Sequence, residues 1–198
     1  MNSIPDLYQT IARLHLGKAR KQSVSFTLRE QKITREAMDS ATGSNLTPSS
    51  KALSEDDKVL VRDTWREATK PEREAGQKLF KRIFQIAPEA QDYFSSSDLE
   101  SDEFQGHITS VISTLDKALQ NLDDLTPLLP TLERLGTIHA NMGIKRQQLN
   151  VVKQALLFTL SQELRELFTD ECRKAWELTF DILADAMATG MVANSNDD

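Results

Sequence analysis

Apolar residues recur every three or four positions along most of this 198-residue chain, and no strand-length stretch keeps a clean two-residue alternation. A period of three to four is that of an amphipathic helix, whereas the faces of a strand repeat every two residues. Only seven glycines and six prolines interrupt the pattern. We therefore predict an all-α fold of seven to eight helices. Because the helices differ in length and sustain no heptad, we expect a folded-over helical pocket rather than an up-down bundle.

The cysteine count and the hydropathy pattern exclude several classes of protein. No apolar run approaches the roughly 20 residues that a membrane-spanning helix needs. The single cysteine, Cys172, excludes an intrachain disulfide and a multi-cysteine zinc site. The chain also lacks the apolar block of a secretory signal after Met1, so we predict a cytoplasmic location.

Charge divides the chain into two parts. Residues 1–50 carry seven Lys or Arg against four Asp or Glu, a net +3, whereas residues 51–198 carry 17 against 26, a net −9. An acidic body repels phosphate backbones, so we expect no nucleic-acid binding. We predict a basic extension and linker over 1–50, a helical domain over 51–191 and a disordered tail over 192–198.

The extension has a pattern of its own. Ile4, Leu7, Ile11 and Leu14 recur at helical spacing and predict a short amphipathic helix, followed by a polar linker over residues 39–50. We expect either a poorly ordered tail or weak contact with an anionic membrane or a protein partner. The five Lys or Arg and one acid of residues 1–29 also fit a mitochondrial transit peptide.

Two of the adjacent acidic pairs in the chain, Asp56–Asp57 and Asp123–Asp124, have a structural explanation that requires no catalytic role. Ser54 followed by Asp56 and Asp57 is typical of a helix start, where acids face the positive end of the helix dipole. Asp123 and Asp124 fall in a segment typical of a turn. We interpret both pairs as structural.

Two histidines mark the candidate site. His107 and His139 lie 32 residues apart on neighbouring predicted helices, each at the edge of an apolar face. A single such histidine is usually a core residue, but two could face each other across a slot. Val111 follows His107 by one turn and Leu135 precedes His139 by one turn. An imidazole between aliphatic walls suits the iron of a haem.

Ordered motifs over roughly residues 53–191 resemble the globin family. They are LSEDDKVLVRDTW, which ends at Trp65; GQKLFKRIFQIAPEAQDYF, which begins at Gly76, contains Pro88 and ends at Phe94; FQGHITSVI with His107; LERLGTIHANMGI with His139; and AWELTF with Trp176. Within the family the chain is most similar to neuroglobin-like hexacoordinate globins, through Phe80, the spacing of the two histidines, and the segments EDDK, SSSDLESDEF and AWELTF.

The resemblance implies a haem b whose iron is bound by His139 on the proximal side. It also implies that His107 binds the iron directly when no gas is bound. No Cys-x-x-Cys-His motif is present to attach the cofactor covalently. The residues that it implies around the haem are Phe80, Phe94, Val111, Leu135, Ile144, Leu149 and Phe180.

Two positions depart from the pattern of many globins. Ser110, one turn after His107, stands where a Lys or Arg often pairs with a haem propionate, and a hydroxyl offers only a neutral hydrogen bond. Ile138 precedes the proximal histidine where a serine often orients the imidazole. We expect the backbone carbonyl of Leu135 to accept the imidazole N–H instead.

Three functions follow as hypotheses from the predicted haem site. The first is a globin that binds dioxygen, nitric oxide or carbon monoxide and acts in redox or gas signalling. The second is an enzyme, a nitric-oxide dioxygenase or nitrite reductase, that depends on an external reductase because the chain has no flavin- or NAD-binding stretch. The third is oxygen storage, which favours a distal histidine that stays off the iron.

Overall fold

The computed structural model describes residues 52–70, 72–95 and 98–193, and throughout these ranges the regular structure is helical, which confirms the all-α prediction. No helix in them is long and apolar enough to cross a membrane. The helices are α1 (Glu55–Ala68), α2 (Glu72–Ile86), α3 (Asp102–Gln120), α4 (Leu129–Asn141), α5 (Leu149–Leu164) and α6 (Asp170–Ala193), with 3₁₀ helices at Pro88–Tyr93, Arg146–Gln148 and Arg165–Leu167.

Capping residues set the start of two helices. Ser54 Oγ accepts the backbone N–H of Asp57 at 3.1 Å, and the Asp57 carboxylate accepts the backbone N–H of Ser54 at 3.0 Å. This reciprocal capping box satisfies two amide groups that have no partner within the helix. Ser101 is the N-cap residue of α3, and its Oγ accepts the backbone N–H of Phe104 at 3.3 Å.

Proline ends α2 and changes the type of the next helix. Pro88 has no N–H to continue the hydrogen-bond ladder and disfavours helical backbone at the residue before it. Ala87 accordingly takes φ −134° and ψ 80°, and residues 88–93 form a 3₁₀ helix. The helix that follows Pro88 is therefore short and of the tighter 3₁₀ type.

The predicted domain ends fall partly outside the described residues. The last helix continues to Ala193, so the tail predicted to begin at 192 is helical at its first two residues. Residues 194–198 and the extension over 1–50, with its predicted amphipathic helix, lie outside the part of the chain that the structure describes.

The larger apolar core joins the first and last helices through two tryptophans. Trp65 and Trp176 are both buried, with ring centroids 5.8 Å apart. The indole N–H of Trp176 donates to Thr64 Oγ1 at 3.0 Å. This core also contains side chains of α2, α3 and α5, and it is the largest apolar cluster among the described residues.

A smaller apolar cluster holds α4. It consists of Ala118, Leu128, Leu132, Leu135 and Leu183, contributed by α3, by α4 and the residue before it, and by α6. Residues of both clusters line one cavity between them. The second cluster thus forms one wall of that cavity.

Candidate functional site

The cavity between the two clusters has a volume of about 230 Å³ and is walled by α2 to α6 and their connections. Its lining is mainly aliphatic and aromatic. His107 lies on its α3 wall and His139 on its α4 wall. The two histidines singled out in the sequence are therefore brought to the same space, as expected.

His139 is oriented by its own helix. Its Nδ1 lies 2.7 Å from the carbonyl oxygen of Leu135, one turn earlier on α4. Because a carbonyl only accepts, Nδ1 carries the proton, and Nε2 retains the lone pair that a metal would use. Burial lowers the pKa of His139 below its ordinary value, and the hydrogen bond to Leu135 opposes that shift in part. The imidazole is therefore neutral at pH 7, the form that ligates metals.

His107 is enclosed by aromatic rings. It is buried, and its ring centroid lies 5.2 Å from that of Phe80 and 5.2 Å from that of Phe94, each at an interplanar angle of 65°. Phe104 lies 6.1 Å away at 76°. Edge-to-face contacts of this kind are favourable and directional, so they restrict where the imidazole can lie.

All seven residues predicted to surround a cofactor line the cavity. They are Phe80, Phe94, Val111, Leu135, Ile144, Leu149 and Phe180. Sequence reasoning missed further lining residues, among them Ile83, Val152 and Leu183. Helical spacing was the signal that could have found these three, because each follows a predicted lining residue by three positions on the same helix.

The two departures from the common globin pattern have clear local structures. The hydroxyl of Ser110 donates to the carbonyl of Gly106 in its own helix at 2.8 Å. The imidazole of His139 is held through the backbone carbonyl, as expected where Ile138 replaces a serine.

A polar contact at the cavity wall was not predicted. The side-chain amide of Gln148 donates to Tyr93 Oη at 3.0 Å, and both residues line the cavity. The bond links the 3₁₀ helix Pro88–Tyr93 to the segment that leads into α5. Its partners are 55 residues apart in the chain, so no local pattern indicates it.

Asp57, Asp123 and Asp124, three of the four residues of the two acidic pairs, have structural partners, as interpreted from the sequence. Asp57 belongs to the capping box of α1. Asp123 forms ion pairs with Arg62 at 2.7 Å and Lys58 at 3.4 Å, and the hydrogen bond from Arg62 is the main cause of a pKa below the ordinary aspartate value. Asp124 accepts the backbone N–H of Thr126.

The donor set fits an iron macrocycle better than a bare ion. In the described ranges, no group of three or more His, Cys, Asp or Glu is placed to hold a metal ion. A haem supplies four equatorial nitrogens itself and needs one or two axial donors between apolar walls. His107 and His139 on two walls of one largely apolar cavity match that requirement.

Comparisons with known proteins agree with this geometry. The globin family model matches residues 77–187. Neuroglobin of Danio rerio is 35% identical over 150 residues, covering 72% of this chain and 94% of the relative. Neuroglobin of Dissostichus mawsoni is 35% identical over 153 residues, covering 73% and 96%. A solved hexacoordinated heme protein from an anhydrobiotic tardigrade shares the fold at a TM-score of 0.64 and 20% identity, covering 71% of this chain and 96% of that one.

Proposed function

The chain belongs to the globin family, and on that premise we propose that it binds one haem b in the cavity and takes up dioxygen, nitric oxide or carbon monoxide reversibly. One observation carries the proposal. His139 lines the cavity with its Nδ1 bound to the Leu135 carbonyl, which leaves Nε2 for the iron. The haem supplies the gas-binding iron, and the protein supplies its axial ligand and its apolar surroundings.

His107 is proposed to be the second axial ligand when no gas is bound. It lines the same cavity, and the rings of Phe80 and Phe94 hold it there. A gas must then displace an internal ligand, so its apparent affinity falls by the fraction of molecules in which His107 is off the iron. A site of this kind changes its internal coordination when a gas binds, because His107 leaves the iron. Such a change suits redox or gas signalling better than oxygen storage.

Haem content and carbon monoxide binding test the primary proposal. The purified full chain should contain one extractable haem b per chain, because its single cysteine cannot provide two thioether bonds. The reduced protein should bind carbon monoxide and recover its original spectrum after the gas is removed. A chain that takes up no haem after reconstitution contradicts the proposal.

A further inference from the structure

The backbones of α4 and α6 touch at two glycines. A Cβ built on Gly136 would overlap the carbonyl group of Met187, and one built on Gly190 would overlap the carbonyl group of Glu133. Each glycine therefore sits against the backbone of the other helix. No side chain fits between the two helices at this crossing.

The crossing is reciprocal, and a hydrogen bond secures it. Glu133 and Gly136 are one turn apart on α4, as Met187 and Gly190 are on α6. The Thr137 hydroxyl lies 3.1 Å from the Gly190 carbonyl and 3.2 Å from the Glu133 carbonyl of its own helix, so its single proton is shared between the two acceptors. Contact at two points plus a lateral hydrogen bond restricts sliding as well as separation of the helices.

The apolar anchorage of α4 is small. Its buried residues are Leu132, Leu135 and Gly136, and Leu132 and Leu135 belong to the smaller apolar cluster rather than to the main core. Ile138 adds a partly buried side chain to the same cluster. A helix with so few fully buried side chains depends strongly on its backbone contacts. The two-glycine crossing is thus a principal attachment of α4 to the rest of the protein.

The same crossing lies next to the proposed iron ligand. His139 follows Gly136 by one turn, and Leu135, whose carbonyl holds the imidazole, directly precedes Gly136. Met187, against whose carbonyl Gly136 packs, lines the cavity. A shift at the crossing therefore moves the imidazole and its hydrogen-bond acceptor together.

The distal side is attached differently. At the α2–α3 crossing, a Cβ on Gly76 would overlap Cγ2 of the Ile108 side chain rather than a backbone atom. Ile108 is buried and β-branched, and its Cγ2 is bonded directly to Cβ, so an alanine at position 76 would also force a local shift. Both crossings are therefore close, and they differ in that only the α4–α6 crossing brings backbone against backbone.

We propose that Gly136 and Gly190 are positioning residues that hold α4, and with it His139, in place before the cofactor binds. The inference rests on the proposed haem site for its functional meaning.

Gly190→Ala tests the proposal, with Gly76→Ala as the matched control at the distal crossing. Alanine favours a helix over glycine, so Gly190→Ala should stabilise the protein if the crossing has no role. We expect the opposite. In the full chain without haem, α4 amides of the wild type should be protected from hydrogen exchange, and in Gly190→Ala they should exchange about tenfold faster or more. Gly76→Ala should also lose stability, because its methyl group meets buried Ile108, but its faster exchange should fall in α2 and α3 rather than in α4.

A spectroscopic signature separates positioning from general stability. In reduced His107→Leu protein with haem, the iron–histidine stretching band should shift or broaden when Gly190→Ala is added. It should keep its frequency when Gly76→Ala is added instead. An unchanged band in the Gly190→Ala background overturns the positioning role.

A milder pair of variants covers the case in which Gly190→Ala does not fold. Thr137→Val removes the hydroxyl near the Gly190 carbonyl, and Thr189→Val removes a hydroxyl that bonds only within α6, to Asp185. Faster α4 exchange in Thr137→Val but not in Thr189→Val supports the proposal. Equal exchange in both, or unprotected α4 amides in haem-free wild type, overturns it. The hydrogen-exchange measurements need no haem, so failure of the proposed function does not affect their outcome.

Discussion

The Nδ1 atom of His139 lies 2.7 Å from the carbonyl oxygen of Leu135, one turn earlier on the same helix. This bond uses a backbone group, so no side-chain substitution at position 135 or 138 removes its acceptor. It leaves Nε2 as the nitrogen with a lone pair, and it makes the proximal role of His139 directly testable.

His139→Ala should abolish stable haem incorporation, because the variant loses the proposed proximal bond to iron. The measurement is the haem-to-protein ratio after reconstitution and gel filtration. His15→Ala, which changes the single histidine of residues 1–50, is the control and should retain the wild-type ratio. Wild-type haem content in His139→Ala would show that another group holds the iron.

His107→Leu should convert the reduced, gas-free protein from a six-coordinate to a five-coordinate spectrum. Leucine retains apolar contact with Phe80 and Phe94 but has no nitrogen for the iron. Carbon monoxide should then bind with higher apparent affinity. The factor of increase should equal the inverse of the fraction of wild-type molecules in which His107 is off the iron. Equal affinity in both proteins would mean that His107 does not compete with the gas.

Thr64→Val should lower the free energy of unfolding by about 1–3 kcal/mol, because it leaves the buried indole N–H of Trp176 without its acceptor. Urea unfolding of both proteins measures the difference. Thr159→Val is the matched control, since the buried Thr159 hydroxyl bonds only to Ala155 in its own helix, and it should cost less than about 1 kcal/mol. Equal costs would show that the Trp176 bond adds nothing.

Asp123→Asn should reduce stability at neutral pH and lose that effect in acid. The partners Arg62 and Lys58 hold the pKa of Asp123 below the ordinary value of 3.8. The ion pairs therefore stabilise the fold fully above pH 3.8, and this contribution disappears as the pH falls through the lowered pKa. Urea midpoints of the two proteins should differ at pH 7, begin to converge below pH 3.8 and meet once the pH is below the lowered pKa of Asp123. High salt should narrow the difference at pH 7, because both ion pairs are near the surface.

Local patterns predicted the helices and both histidines of the site. The globin resemblance implies that Phe80, Val111 and Phe180 lie around the haem, and all three line the cavity. These features depend on periodicity or on an ordered set of motifs, and both signals can be recognised in a single sequence.

Contacts between distant segments were not predictable in the same way. Gln148 and Tyr93 meet because the 3₁₀ helix after Pro88 lies beside the start of α5, and Trp176 reaches Thr64 across 112 residues. The reciprocal crossing of Gly136 and Gly190 depends on how two helices lie across each other. Propensity and period describe one helix at a time, so they do not contain these relationships.

The absorption spectrum of the reduced wild-type protein without added gas tests the central claim most directly. A haem held between His139 and His107 is six-coordinate and low-spin, and it should give two sharp, well-separated visible bands. Those bands should collapse to one broad band in His107→Leu. A wild-type spectrum that already shows the single broad band would contradict the account, because His107 would then be off the iron.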